Sequence, residues 1–563
     1  MWCIIVKGFI VKASRPPADC NIDIFVGRCR VNPQVQAAMS GDSLQQDGEA
    51  SMSVDVGNDL AEDGVGSVTL PRPRIPRSPG PSTLDEIYGW PSFFLTRLHS
   101  LRPECIQLLL QKVKTGVNLF TDWSGMGCPE QSFSMLREGL EQLNMLTADA
   151  PDFLKCVRAC DTLPLARKAL LAFSAGGPCH VFENIMDRVP ANVQDQLKKL
   201  TAVAQEKLAK APLAPGQKVN PKAREQLGEQ LVRDMCDILV TVQWHEAQTQ
   251  LCHRHHGQCC PIWGGPEDRF DGGFSMAIVG NECLDWTSFG KQAGECGDGL
   301  MVLLAWCFEM LALGVPCIIE ECTPLFKLWI LEYVFVTRTQ GRYQMQSRVF
   351  SPTDLGIPAS RPRQYAIITA TSVISCVLPF ASEEFEDMFF RDMQLTGSIF
   401  FNRIGGPVER KQFKLHLMEQ RGLMLRNKSI ASVAWADVLS AGNRMRLKGF
   451  IKLAKKKFGF PQGIVDVMQN SSYSSGLPSV VPTLRRKGTV MDLSSMRPLL
   501  PAAHFDVMGI PLHGSEHCSH HSPLARFVPT LSFSQMQELC GNAMHLSAVG
   551  LCITYCLACT QPR

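Results

Sequence analysis

Strong net charge is missing from this chain: 56 basic against 53 acidic residues leave +3 over 563 positions. Any affinity for a polyanion must therefore rest on local clusters, not on the field of the whole molecule. A secretion signal is not expected either. The opening Met1-Trp2-Cys3-Ile4-Ile5-Val6 is apolar, but Lys7 and Lys12 leave it too short for a span and poorly formed as a signal peptide. The apolar run from Leu300 to Leu313 has only 14 residues, contains Glu309 and stops at Gly314 and Pro316. A bilayer demands about 20, so a buried helix leading into a strand is expected, and no membrane partner. Regular cysteine spacing is also lacking. The 23 cysteines are scattered through apolar segments, which suits reduced thiols and excludes a secreted disulfide scaffold. Residues 31–71 hold no Lys or Arg but several acids, and Pro71-Arg72-Pro73-Arg74-Ile75-Pro76 follows. Such a stretch buries too little apolar surface to offset its ordering entropy, so 1–87 reads as a disordered leader.

What is present is ordinary for a folded protein: 45% hydrophobic and 19% charged residues, in a length that suits two or three domains. From 117 to 375 the pattern is apolar strand, turn, helix, repeated. Strands are expected near 117–121, 155–159, 179–182, 276–280, 316–320, 330–336 and 364–369. This alternation predicts an α/β fold with a doubly wound, mostly parallel sheet covered on both faces. A catalytic domain would span 88–375, with an insertion at 187–275 that begins with two amphipathic helices around Pro212 and Pro215. After 375 the alternation is lost and basic residues concentrate, so 376–530 reads as a smaller mixed domain. A final helix, 531–563, would return to the first domain.

Three chemically active residues fall at expected strand ends. Cys283 lies in a small-residue turn after Ile278-Val279-Gly280. Glu320, with Glu321 beside it, ends the run Cys317-Ile318-Ile319. Arg363, with Arg361, precedes the last strand. At the end of the first strand, Thr121-Asp122-Trp123-Ser124-Gly125-Met126-Gly127-Cys128 places two glycines before a helix N-terminus, where backbone can approach an anionic ligand. Asp161 closes the second strand, where an acid suits a ribose diol. Asn184 follows the third, where it can bond an adenine edge.

In this order the segments resemble the DNA cytosine-5 methyltransferase family. Phe120 to Glu130 is similar to its Asp-Leu-Phe-Ser-Gly-Ile-Gly-Gly block, with Thr121 in place of the acid and Cys128 in place of the last glycine. Gly280 to Lys291 is similar to the Gly-Gly-Pro-Pro-Cys-Gln-Gly-Phe-Ser block. Ile319-Glu320-Glu321-Cys322 resembles Glu-Asn-Val, and Arg361 and Arg363 match Gln-x-Arg-x-Arg with Ala359 at the glutamine. Val481-Pro482-Thr483-Leu484 and Arg497 to Pro511 resemble the segment that organises a target-recognition domain. Leu539 to Met544 resembles the closing Gly-Asn block.

The resemblance implies an S-adenosylmethionine-dependent methyltransferase (Rossmann-like) fold with a target-recognition domain. It also implies methyl transfer from S-adenosyl-L-methionine to cytosine C5 in double-stranded DNA, with the target base flipped out of the stack. Cys283 would attack C6, Glu320 would serve N3, and Arg361 and Arg363 the O2 side. Phe120, Ser124, Gly125, Gly127, Asp161, Asn184 and Asn542 would hold the cofactor. The chain departs from the pattern at Glu282, Thr287 and Glu321. A tRNA cytosine-5 methyltransferase and an inactive DNA-binding relic are the alternatives.

Two clusters remain. Cys252, His255, Cys259 and Cys260 have zinc-type side chains, though more compactly spaced than paired ligand motifs. Residues 444 to 457 carry seven positive charges without an acid. Arg444, Arg446, Lys448, Lys452, Lys455 and Lys456 are candidates for phosphate contact, with Arg485 and Arg486 extending them. The expected location is nuclear, or cytoplasmic in a cell without a nucleus.

Overall fold

The computed structural model describes residues 76–563, except 174–175, 214–218, 245–247, 288–289, 403–405, 424–428, 472–477 and 514–521, and the backbone of two hairpins between residues 2 and 30. Most of the expected leader thus lies outside the described residues. Its last part is built into the fold: Ser78–Pro79 pairs with Arg391–Asp392, and a helix already covers Leu84–Tyr88.

Seven strands make the central sheet: β1 (Val117–Asp122), β2 (Leu154–Cys160), β3 (His180–Phe182), β4 (Phe274–Gly280), β5 (Cys317–Cys322), β6 (Tyr343–Phe350) and β7 (Arg363–Ala370). Their spatial order is β3-β2-β1-β4-β5-β7-β6. β7 alone runs against the common direction of the other six strands. The sheet is doubly wound and Rossmann-like, in the α/β class expected. Its strands are apolar almost throughout because both faces are covered. One face packs Leu119, Ile278, Ile319 and Ile367 against α1 (Pro103–Thr115), α2 (Cys128–Gln142) and the late helix α7 (Leu546–Ala558). The other packs Phe120, Val279, Ile318 and Ile368 against α3 (Ala191–Ala209), α4 (Pro221–Leu239) and α5 (Gly299–Ala312).

The insertion thus supplies two helices of one face, followed by a hairpin of Thr249–Cys252 with Gln258–Pro261. The apolar stretch Phe533–Ala558 is long enough to cross a membrane by composition, yet 89% of its apolar window is buried in the protein. It acts as a core element.

One expected strand is wrong. Residues 330–336 are helical, Trp329–Leu331 continuing into a wider turn over Glu332–Thr337. Buried Ile330, Leu331, Val334 and Phe335 recur at helical spacing, a period hidden inside a short β-branched and aromatic run. The real sixth strand, Tyr343–Phe350, is mostly half-buried and carries Gln344, Gln346, Ser347 and Arg348. It gives no apolar run because it is the sheet edge.

A closed ring of four charges lies under the carboxyl ends of β1 and β2. Arg158 reaches Asp122 at 2.8 Å and Glu309 at 2.7 Å, and Arg188 reaches the same two carboxylates at 3.0 and 2.8 Å. All four side chains are at most 1% exposed. The Trp306 indole N–H adds a bond to Asp122 at 3.1 Å. Removing one member leaves an uncompensated buried charge, which costs about 3–5 kcal/mol. Glu309→Gln should lower the unfolding free energy by about that amount in urea denaturation. A loss below about 1 kcal/mol, the scale of an exposed ion pair, would show that the ring contributes little.

Candidate active site

The chain winds outward from β1 to β3 and returns to β4, so the topological switch lies between β1 and β4. Ligands of open α/β sheets bind in the crevice outside the strand ends at such a point. Trp123 turns away from β1 there with φ 49°. A side chain at Gly280, the end of β4, would meet Met544 at 2.7 Å, the Trp123 carbonyl at 3.3 Å and Glu321 at 3.6 Å. A larger residue there would have to displace the end of the Met544 side chain, because the segments of Trp123, Glu321 and Met544 converge on that point.

Cys283 sits three residues past β4, half-buried, in a turn closed by Trp286 and Thr287 amides donating to its carbonyl at 3.0 and 2.9 Å. The next strand end is alongside: Gly280 pairs with Glu321, and the Asn281 amide donates to the Glu321 carbonyl at 3.0 Å.

Strand alternation separates the two glutamates. Glu320 points to the face of Ile318 and Cys322, and its charge acts on Cys307 of α5. Glu321 points to the opposite face, where it acts on Tyr365 and on Cys552 of α7. There it pairs with Arg363 at 2.9 Å. The structure therefore corrects one expectation: the carboxyl brought to the arginines is Glu321, and Glu320 faces away from them.

Burial, reinforced by the neighbouring Glu321, raises the Glu320 carboxyl well above the usual range; the Asn281 amide acts in the other direction. Both Glu320 oxygens lack a hydrogen bond of normal geometry. Arg361 is 6% exposed, donates to the Ala543 carbonyl, and is lowered to about 10 by burial and by Arg363, while Glu321 and Cys283 act to raise it. Cys283, Glu321, Arg361 and Arg363 thus form one electrostatic neighbourhood.

The residues expected to hold a cofactor divide. The Gly125 amide donates to Asp161 at 2.8 Å, as does that of Leu163. Each Asp161 oxygen so engaged keeps a further lone pair for a diol. The Asn542 carbonyl lies 3.6 Å from where a Gly125 side chain would start. Asn184 uses its side-chain oxygen to cap the turn at Met186, 3.0 Å away. Ser124 bonds inward, to Thr121 and to the backbone of Cys160. Gly127 makes room for Phe173, whose ring would stand 2.7 Å from an added side chain, so it serves packing.

Phe120 does not reach the crevice: it is 2% exposed and its ring lies 4.8 Å from that of Trp263. Half-buried Trp123 is the aromatic at the strand end. Aligning Thr121 with the family's acid already puts Trp123 at the phenylalanine position. The Glu130 carboxyl fills the first turn of α2, fully buried, where it accepts from Thr121 at 2.7 Å.

The expected phosphate contacts also divide. Helix α6 (Ala441–Phe458) exposes Arg444, Lys448, Lys452, Lys455 and Lys456, with the first four on one stripe. Arg446 is spent on the Val467 carbonyl and Asn443, both at 2.9 Å, and Arg485 is paired with Asp466. Arg486 bonds Asn542, and its charge acts on Asp161 and Glu282, which places it beside the crevice. Sequence reasoning missed Arg410, Lys411 and Arg497, which line a hollow with Trp435 in the same small domain.

The expected zinc set changes by one residue. Ligand atoms of His180, Cys252, His255 and Cys260 lie within 4.8 Å of one another, whereas Cys259 is exposed. Cys259 is adjacent to Cys260 in a strand, so the two point to opposite faces.

No protein-family model matches the chain, and no curated protein does. Solved structures are similar to it, three methyltransferases among them. The Entamoeba histolytica methyltransferase EhMeth is 12% identical, with a TM-score of 0.33, over 78% of this chain and 97% of that one. The S. pombe Dnmt2 methyltransferase is 11% identical, with a TM-score of 0.31, over 78% of this chain and 96% of that one. A putative DNA modification methyltransferase encoded within an E. coli prophage is 11% identical, with 0.36, over 78% and 98%.

The raised Glu320 carboxyl has a consequence for stability. The folded state holds a proton that the unfolded state releases above the ordinary glutamate value of about 4.3, so stability falls as pH rises. Glu320→Gln removes that dependence. Its unfolding free energy relative to wild type should improve by up to about 1.4 kcal/mol per pH unit between pH 5 and 7. A difference independent of pH in denaturant titrations would contradict a neutral buried acid.

Proposed function

We propose that this protein is an S-adenosylmethionine-dependent DNA cytosine-5 methyltransferase with Cys283 as its nucleophile. The observation that carries this reading is the convergence of Cys283, Glu321, Arg361 and Arg363 at the carboxyl ends of β4 and β5 and the amino end of the antiparallel β7. Asp161, Gly125, Asn542 and Trp123 would line the cofactor side of the crevice, and Asn184 its far end. The bound cofactor supplies an electrophilic methyl group on a sulfonium.

Cytosine C5 is a poor nucleophile until a thiolate adds at C6. The Cys283 sulfur forms that bond and makes C5 an enamine carbon able to take the methyl group. Loss of the C5 proton then expels the sulfur and restores the ring. Glu321, on the face of the arginines, replaces Glu320 as the group that bonds the N3 edge as charge develops, and Arg363 steadies the O2 side. The base reaches the crevice only when flipped, at a cost of about a few kcal/mol. The exposed stripe on α6 would hold phosphates of the flanking duplex. A role in the nucleus fits this substrate, and tRNA is the competing one.

Purified wild-type protein should label cytosine-containing duplex DNA from methyl-labelled cofactor and form a covalent adduct with 5-fluorocytosine DNA. Cys283→Ser should abolish both while cofactor affinity stays within about threefold, since only the covalent step is removed. Normal methylation by that variant would end the assignment. Preferential labelling of tRNA would move the substrate but keep the chemistry. Glu321→Gln should cost at least about 100-fold in kcat/KM, the scale of a lost acid–base partner, with Glu320→Gln close to wild type. The reverse ranking would return the role to Glu320.

For the duplex, replacing Lys448, Lys452 and Lys455 with Ala should reduce the slope of log affinity against log salt by about 0.9 per lysine. Arg485→Ala should leave it nearly unchanged. An unaltered slope in the triple variant would place the DNA elsewhere.

A further inference from the structure

The His/Cys cluster at the sheet edge is not used by the reaction, and it has the geometry of a closed metal site. The His180 Nδ1 lies 3.8 Å from the Cys252 sulfur, and the His255 Nδ1 lies 3.2 Å from the Cys260 sulfur. Tetrahedral zinc, with bonds of about 2.3 Å to sulfur and 2.0–2.1 Å to nitrogen, holds its ligand atoms about 3.3–3.8 Å apart. The four ligand atoms fall within 4.8 Å of one another, so modest side-chain adjustment closes the tetrahedron.

The surroundings also suit a metal. His180 turns its other nitrogen, Nε2, to the Asp268 carboxylate at 3.0 Å, the partner that orients a metal-bound imidazole. Asp268 is itself held by the Gly265 amide at 2.7 Å. The Cys252 sulfur accepts the Val181 amide at 3.4 Å. Cys252, His180 and Cys260 are 0, 5 and 8% exposed and His255 is half-buried, so protein side chains supply all four positions.

We propose that His180, Cys252, His255 and Cys260 hold a structural zinc ion that fastens the insertion hairpin to the outer strand of the sheet. Two thiolates and two imidazoles in a tetrahedron select zinc among the common divalent ions. His180 comes from β3, the edge strand, and the other three from the hairpin. The hairpin already lies along that edge, with the His253 amide donating to the Val181 carbonyl at 2.8 Å and Arg254 reaching the Leu170 carbonyl at 3.0 Å. The ion would lock this docking and cover an edge otherwise open to pairing.

The full-length protein, purified without chelator, should carry about one zinc per chain by mass spectrometry of its metal content. Exchange for Co2+ should give the visible bands of a tetrahedral thiolate site. Titration of wild-type thiols with a mercurial should release the zinc, a readout that needs no variant to fold. Cys260→Ser and His180→Ala should lower zinc content at least about fivefold, while Cys259→Ser retains it, because only four positions are filled. The proposal is overturned by zinc below about 0.1 per chain, by Co2+ bands of an octahedral site, or by a Cys252–Cys260 disulfide in the purified protein. It is equally overturned if Cys259→Ser loses as much zinc as Cys260→Ser.

Discussion

The crevice depends on a constraint that lies beneath it. Asp122, Arg158, Arg188 and Glu309 come from β1, β2, the turn after β3 and helix α5, and they close a ring with no water-exposed member. Four desolvated charges tolerate little displacement, since each must keep two partners to offset its loss of hydration. The ring therefore fixes the relative height of three strand ends and one helix. Trp123, Asp161 and Asn184 project from those ends.

On the other side of the switch point, the same exactness comes from close backbone approach. Gly280 lets Trp123, Glu321 and the end of the Met544 side chain approach the end of β4 closely. Arg361, held by the Ala543 carbonyl, ties the late segment around Met544 to the start of β7. The crevice is thus closed by elements far apart in the chain, and α7 supplies the core under it. A crevice built this way is rigid at its base, as a site must be if it is to hold reacting groups within bonding distance.

The edge of the sheet follows a different logic. β3 is only three residues long, and the insertion hairpin is laid against it. A short, covered edge avoids pairing with other chains. The same hairpin brings two cysteines and a histidine to the imidazole of His180, so edge protection and the proposed ion-binding cluster are one structural device.

Much of the architecture was legible in the chain. Apolar runs at β1, β2, β4, β5 and β7 are visible because strands buried on both faces leave no polar alternation. The two insertion helices show in their amphipathic periods. The helix at 329–337 and the strand at 343–350 were exchanged, since a short apolar run does not state its period and an edge strand does not look apolar. Single residues were decided by direction: Phe120 turns into the core, Arg446 and Arg485 are spent on internal partners, and Cys259 points away from Cys260. Residue types and their order along the chain were set by the sequence alone, and with them the class of fold and the chemistry within reach. Which of two adjacent glutamates meets the arginines, and that His180 joins cysteines more than 70 positions away, only the folded chain decided, because side-chain direction and long-range proximity follow from packing and strand register.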